Sequence, residues 1–198
     1  MSRHRGDEGF TLVETMVALS IVGTVMVSLA MFFVRSATIQ HRQADTQVAT
    51  QLAASAMDFV SQLPAENVLL GRTQQNVQNE WQAPGVSTYL DPARTEPAWQ
   101  DPSLPATPTL AGLPTTPESI QLTGDSTTYQ RWWYVGSCWQ PTAGGDCVVV
   151  STTVRSQYVQ MYRVVVAITW PSPECAGNQC QHITTMLTEA TLADPTWQ

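Results

Sequence analysis

From Phe10 to Val34 the chain reads FTLVETMVALSIVGTVMVSLAMFFV, apolar or small throughout with Glu14 as its only charge, and Arg35 closes the run. A helix needs about 20 such residues to cross a hydrocarbon core of about 30 Å, so this stretch is long enough to span a bilayer. Beyond Arg35 the pattern becomes amphipathic. Val48, Leu52, Ala56, Phe59 and Leu63 recur at steps of three and four, while Gln40, Arg42, Gln43, Asp45, Gln47, Gln51, Asp58 and Gln62 supply polar faces. Pro64 ends the regularity, because its ring removes a donor and pushes the preceding residue out of the α region. The spacing therefore predicts one helix from about Thr11 to Gln62, roughly 80 Å long, with residues 35–63 carrying an apolar stripe that packs on a sheet.

Residues 64–126 show no sustained period and read as an irregular, variable region. Eight prolines lie between Ala83 and Ser119 (Pro84, Pro92, Pro97, Pro102, Pro105, Pro108, Pro114 and Pro117), which suits either a partner-facing loop or a solvated spacer. After it, residues 127–198 read as an antiparallel β head. Strands are expected at Thr127–Val135, Cys147–Val154, Gln157–Trp170 and Gln181–Leu192. In the third, Tyr162, Val164, Val166, Ile168 and Trp170 alternate with Met161, Arg163, Val165, Ala167 and Thr169, so one strongly apolar face should meet the helix. Trp132, Trp133, Trp139 and Trp170 can fill the core or face a neighbouring molecule. The expected class is α+β, a long N-terminal helix packed on a C-terminal antiparallel sheet.

The formal charge of -7 and the lack of a basic stripe argue against nucleic acid as a partner. The cysteines fall as two close pairs, Cys138 with Cys147 and Cys175 with Cys180, neither of them a CxxC. Zinc would require thiolates and histidines converging tetrahedrally, and His4, His41 and His182 are scattered. Two local disulfides, each worth about 2 to 3 kcal/mol by loop closure, fit better and imply an oxidising, extracytoplasmic compartment. Neither a metal nor a cofactor is expected. Arg3 and Arg5 ahead of the apolar run place the N-terminus in the cytoplasm and the head outside, a bias that Asp7, Glu8 and Arg35 weaken.

A secretory signal would have an apolar core of about 7 to 15 residues followed by a small-x-small site; here Phe32, Phe33, Val34 and Arg35 end a much longer one. A plain membrane anchor has no need of a carboxylate near its start, and an acid in such a position is a functional hypothesis by default.

Gly9-Phe10-Thr11-Leu12-Val13-Glu14 resembles the G-F-T-L-[IV]-E signature of type IV prepilins and pseudopilins. The resemblance implies cleavage between Gly9 and Phe10 by a prepilin peptidase that also N-methylates Phe10. Residues 1–9 become a leader and residues 10–34 a membrane helix that later enters a filament core. It also implies that Glu14 pairs with the N-terminus of a neighbouring subunit, an arrangement in which a charge costly alone is satisfied in one register. Gly23 stands where many pilins have a glycine, which fits either close helix packing or chance. Met31 stands where many major pilins carry proline, so no proline kink is expected. Minor pilins and minor pseudopilins are the nearer likeness, and Arg163–Pro171, RVVVAITWP, is similar to a strand of theirs.

The implied partners are the peptidase, other pilin or pseudopilin subunits and the membrane. The implied location is the cell membrane, in a single pass, and the filament after assembly. No catalytic constellation supports an enzyme: Ser137 lacks a base, no GxSxG occurs, and Asp7 and Glu8 lie in the leader. The competing reading is an uncleaved, single-pass surface protein that binds a ligand through its head.

Overall fold

The computed structural model describes residues 11–83, 86–103, 112–124 and 126–190. The chain divides into two compact units, Met1–Thr46 and Gln47–Gln198, and helix α1 (Leu12–Gln62) contributes to both.

In the first unit α1 begins at Thr11, whose carbonyl accepts from the N–H groups of Glu14 and Thr15 at 3.0 and 3.2 Å. The Thr11 hydroxyl also accepts the Glu14 N–H at 3.3 Å. These contacts occupy donors that a helix start otherwise leaves unpaired, and the Glu14 carboxylate lies in the first turn, where the helix dipole favours negative charge. The hydroxyls along the apolar run are turned back onto the helix. Thr15 donates to the Leu12 carbonyl, Ser20 to Met16 and Thr24 to Ile21, each at 2.8 Å, and Ser28 to Thr24 at 2.9 Å. Polar side chains satisfied in this way can be immersed in hydrocarbon without an orphaned donor.

In the second unit the rest of α1 lies on a sheet. Its fully buried seam is Ala49, Ala53, Ala56 and Val60, with Val48, Leu52, Phe59 and Leu63 partly buried beside it. The expected stripe is thus rotated by about one residue. Small side chains occupy the centre because the facing strands carry bulky rings, Tyr129, Trp133 and Trp170, and a methyl group lets the helix backbone approach them while the larger neighbours straddle the contact.

Helices α2 (Ala65–Val68), α3 (Gln74–Trp81) and α4 (Val86–Tyr89) follow, then strands β1 (Glu96–Pro97), β2 (Glu118–Gln121), β3 (Thr128–Pro141), β4 (Tyr158–Pro171) and β5 (Gln179–Glu189). The sheet is antiparallel, in the order β1-β3-β4-β5, with β2 also pairing to β3. Alternation decides the faces. Trp133, Val135, Val164, Val166, Ile168 and Trp170 meet α1, whereas Tyr134, Val165 and Ala167 meet Val86 and Leu90, with Trp81 and Tyr89 packed alongside.

Both faces of β3 and β4 are therefore covered, and residues 133–139 and 164–170 are buried without a break. The cover on the second face comes from residues 64–126, expected to be irregular and found to hold three short helices and two short strands. Apolar residues Val77, Val86 and Leu90 are buried there, while Val68, Leu69, Ala98 and Leu113 of the same segment join the core on the α1 face; together they fold this proline-rich segment onto the sheet.

Three strand expectations change. β3 runs on to Pro141, past the expected end at Val135, because β4 offers partners along that whole length, from Gln130↔Thr169 to Pro141↔Tyr158. Cys147–Val154 does not form a strand: β4 already has its ladder partners, and the segment's one backbone bridge to the sheet is to the other edge of β3, while Arg163 of β4 donates from its side chain to the Cys147 carbonyl at 3.1 Å. At that bridge Trp139 and Val148 exchange hydrogen bonds at 2.8 and 3.0 Å. β5 starts at Gln179 and ends at Glu189, and the expected extension to Leu192 reaches outside the described residues.

Of the four tryptophans considered for core or interface, Trp133, Trp139 and Trp170 are buried, while Trp132 is 36% exposed. The Trp133 indole N–H and the Arg131 Nε each donate to Glu118 Oε2 at 2.8 Å, pinning β2 to β3. Burial of Glu118 opposes ionisation, but the Arg131 and Trp133 donors together with the Arg131 charge outweigh it and lower its pKa below the ordinary 4.5.

Gly136 marks the closest approach to β3. A Cβ there would collide with the Thr95 side chain and lie 2.8 Å from the Glu96 carbonyl oxygen and 3.0 Å from the Trp81 ring. Gly136→Ala is expected to lower stability by about 1 to 3 kcal/mol, read from a denaturant midpoint of the full chain in detergent. The Glu118 contribution has a defined sign: a lowered carboxyl pKa stabilises the fold above the unfolded value and is lost as pH falls through the folded one. The melting temperature should fall on acidification below about pH 4.5, and Glu118→Gln should be less stable at neutral pH and lose less on acidification. Parallel acid profiles for the two proteins would contradict the assignment.

Candidate functional site

Two places on the molecule carry features beyond what folding requires. The first is the surface of α1 in the N-terminal unit. Leu12 is 74% exposed and Phe33 67%, and Val13, Met16, Leu19, Ile21, Met26, Met31, Phe32 and Val34 are exposed as well. The helix is long and apolar enough to cross a membrane, with none of that window buried by protein. At roughly 25 cal/mol per Å² of apolar surface, leaving it in water is costly, so it demands hydrocarbon or other protein as its surroundings. Within this surface the Glu14 carboxylate has no cation within ion-pair distance among the described residues, although its backbone N–H is bonded. Gly9 and Phe10, the residues expected to flank a cleavage, lie outside the described residues.

The second place is in the head, around Arg72, in the turn between α2 and α3. Its side chain is only 2% exposed and reaches three parts of the fold. One terminal nitrogen lies 3.4 Å from Glu80 Oε2 on α3, and the other donates to the carbonyls of Pro114 at 3.0 Å and Trp133 on β3 at 3.2 Å. The backbone adds a fourth link, since the Arg72 carbonyl accepts the Gln100 N–H at 2.9 Å. Burial lowers the Arg72 pKa and is partly offset by Glu80; burial raises that of Glu80 and is partly offset by Arg72. Each charge is thus sustained by the other.

Beside this pair a cavity of about 230 Å³ opens, with Arg72, Asn76, Glu80, Thr115, Thr116, Trp132 and Tyr134 among its walls. The Trp132 and Tyr134 rings are parallel, with centroids 6.5 Å apart, and Tyr134 stacks on Tyr89 at 5.3 Å. Burial pushes the Tyr134 phenol well above its ordinary pKa, reinforced by Tyr89 and Glu80, so it remains an O–H group. Of this site the sequence offered only Trp132, as a core or interface tryptophan, and the proline-rich stretch that holds Thr115 and Thr116; Arg72, Glu80 and the cavity itself were not expected. Thr73 caps α3 by accepting the Asn76 N–H at 3.3 Å, and a Thr followed by a helix-compatible run is the signal that could have revealed the helix. The convergence of Arg72, Glu80 and Trp132 leaves no local trace.

The four cysteines pair locally in the structure, Cys138 with Cys147 and Cys175 with Cys180, at Cα separations of 5.4 and 5.1 Å. The first bridge holds the 142–150 loop against β3, and the second closes the turn between β4 and β5. Among the described residues no cluster of His, Cys, Asp and Glu could hold a metal ion.

Residues 4–30 match the prokaryotic N-terminal methylation motif, which spans the predicted cleavage position and most of the apolar run. Neither a curated protein nor a solved structure matches the chain.

Replacing Arg72 with Met leaves a partly buried Glu80 and two carbonyls without their donor, at an expected cost of about 2 to 4 kcal/mol in the denaturant midpoint. Arg72→Lys should recover only part of the loss, because an ammonium cannot reach three acceptors in the plane of a guanidinium. Full recovery by Lys would show that charge alone suffices.

Proposed function

We propose that this protein is a structural subunit, of the minor pilin or pseudopilin kind, in a type IV pilus or type II secretion-like filament. The coarser statement rests on the methylation motif and the α+β fold, which together make the chain type IV pilin-like, with one N-terminal helix suited to the membrane. The finer one rests on the apolar face of α1 with its single acid. A bilayer covers the hydrocarbon side chains but offers Glu14 no fixed cationic partner. A bundle of N-terminal helices from neighbouring subunits covers the one and can pair the other.

In this reading the leader 1–9 is removed after Gly9 by prepilin peptidase, Phe10 is N-methylated, and its ammonium meets Glu14 of a neighbouring subunit. Two charges brought together out of water are tolerable only when paired, so a subunit displaced along the bundle is disfavoured. The helix is held in the membrane with the N-terminus cytoplasmic until the subunit enters the filament. The head then lies outside, where its disulfides persist. Peptidase, fellow subunits and membrane are the partners this scheme requires, and it assigns the chain a structural role without catalysis.

N-terminal and intact mass spectrometry of the protein from its native membrane tests the scheme directly. The expected mature chain begins at Phe10 and is about 14 Da heavier than the unmodified sequence. Glu14→Ala should leave cleavage intact and abolish recovery in sheared filaments. An uncut chain that tolerates Glu14→Ala would instead identify a membrane-anchored surface protein.

A further inference from the structure

The cavity beside Arg72 has a composition that folding does not explain. Trp132 is the one exposed tryptophan among the described residues, although it sits in β3 directly before the buried run that starts at Trp133. Its ring is parallel to Tyr134 within 2°, and Tyr134 is itself held by Tyr89, so the indole is a braced platform. Around it Asn76, Thr115 and Thr116 are exposed, and their side chains bond to no other described residue. Glu80 also borders the cavity and is a quarter open to solvent.

Charge narrows the occupant. Arg72 and Glu80 neutralise one another at 3.4 Å, leaving no net charge in the wall to recruit a phosphate or an ammonium. What remains is a flat aromatic surface edged by an amide, two hydroxyls and one carboxylate oxygen able to accept. A pyranose ring has the complementary chemistry, with a C–H face that stacks on an aromatic ring and a rim of hydroxyls that both donate and accept. A volume of about 230 Å³ suits one such ring. A proline-rich peptide, the other ligand of aromatic surfaces, docks along an extended groove in the polyproline II form, and this cavity is a local recess bounded by α3, the 115–117 segment and β3.

We infer that the cavity lined by Trp132, Tyr134, Asn76, Glu80, Thr115 and Thr116 binds a neutral saccharide, one pyranose ring resting on the Trp132 indole. The inference concerns the head alone and does not depend on whether the chain joins a filament.

The test uses the full chain in a zwitterionic detergent without sugar groups, observed through its tryptophan indole N–H signals. The Trp132 signal is assigned by its disappearance in Trp132→Phe. Glucose, galactose, mannose, N-acetylglucosamine and N-acetylgalactosamine are titrated separately. At least one should shift the Trp132 signal with a dissociation constant of about 1 to 10 mM, the range expected for a single small ring. Trp132→Ala and Thr116→Val both alter exposed side chains, and each should weaken that binding by about three- to tenfold when it is followed on the sugar's own proton signals by saturation transfer, a readout that does not need the Trp132 indole, with the far-ultraviolet circular dichroism unchanged. The proposal is overturned if no sugar moves the signal at about 100 mM, or if binding survives in both variants. It is equally overturned if a proline-rich peptide moves the signal and the sugars do not.

Discussion

The backbone groups of β3 and β4 lie between two covered faces and cannot turn to water, so they must satisfy one another, and the head is organised around that requirement. Twelve residue pairs, from Gln130↔Thr169 to Pro141↔Tyr158, form the ladder. Its register sends Trp133, Val135, Val164 and Val166 toward α1 and Tyr134, Val165 and Ala167 toward α4. A slip by one residue would exchange the two sets, placing the large rings under the wrong layer. The far edge of β3 is met in pieces by β2, β1 and Val148, and the outer edge of β4 by β5.

Helix α1 answers to two environments with one regular backbone. In the head its buried seam is alanine and valine, chosen by the closeness of the sheet. In the N-terminal unit it presents large apolar side chains around its circumference and folds its hydroxyls back onto its own carbonyls. The same secondary structure thus serves a surface packed on a sheet and a surface that is apolar around its whole circumference. That difference is carried by side-chain size and polarity, since the main-chain bonding of a helix is internal in both settings.

Arg72 plays for the proline-rich region the part that hydrogen bonding plays for the strands. Buried apolar residues such as Val77, Val86 and Leu90 hold it to the sheet, but a segment broken by prolines makes little regular bonding of its own. A guanidinium that reaches Glu80, Pro114 and Trp133 gathers α3, the segment before β2 and β3 around one centre. Holding those pieces apart by the length of an arginine also leaves the recess in which Trp132 stands open.

The sequence by itself determined the long helix, the apolar span with its acid at the start, the α+β class and the course of β4. Each is written as a local period or a run of one residue type, and such signals depend on backbone geometry alone. Nearest-neighbour cysteines also suggested the loops that the structure closes. The tertiary structure alone decided which residues of α1 form its seam, because the helical period tolerates rotation by one position and the bulk of the facing strands selects it. It alone decided that Cys147–Val154 stays out of the sheet, since strand propensity is satisfied only where an edge is free. The head cavity was invisible for a related reason. Arg72, Glu80, Thr116 and Trp132 are brought together by chain segments up to 60 residues apart, and only the folding of a proline-rich segment over a sheet makes them neighbours.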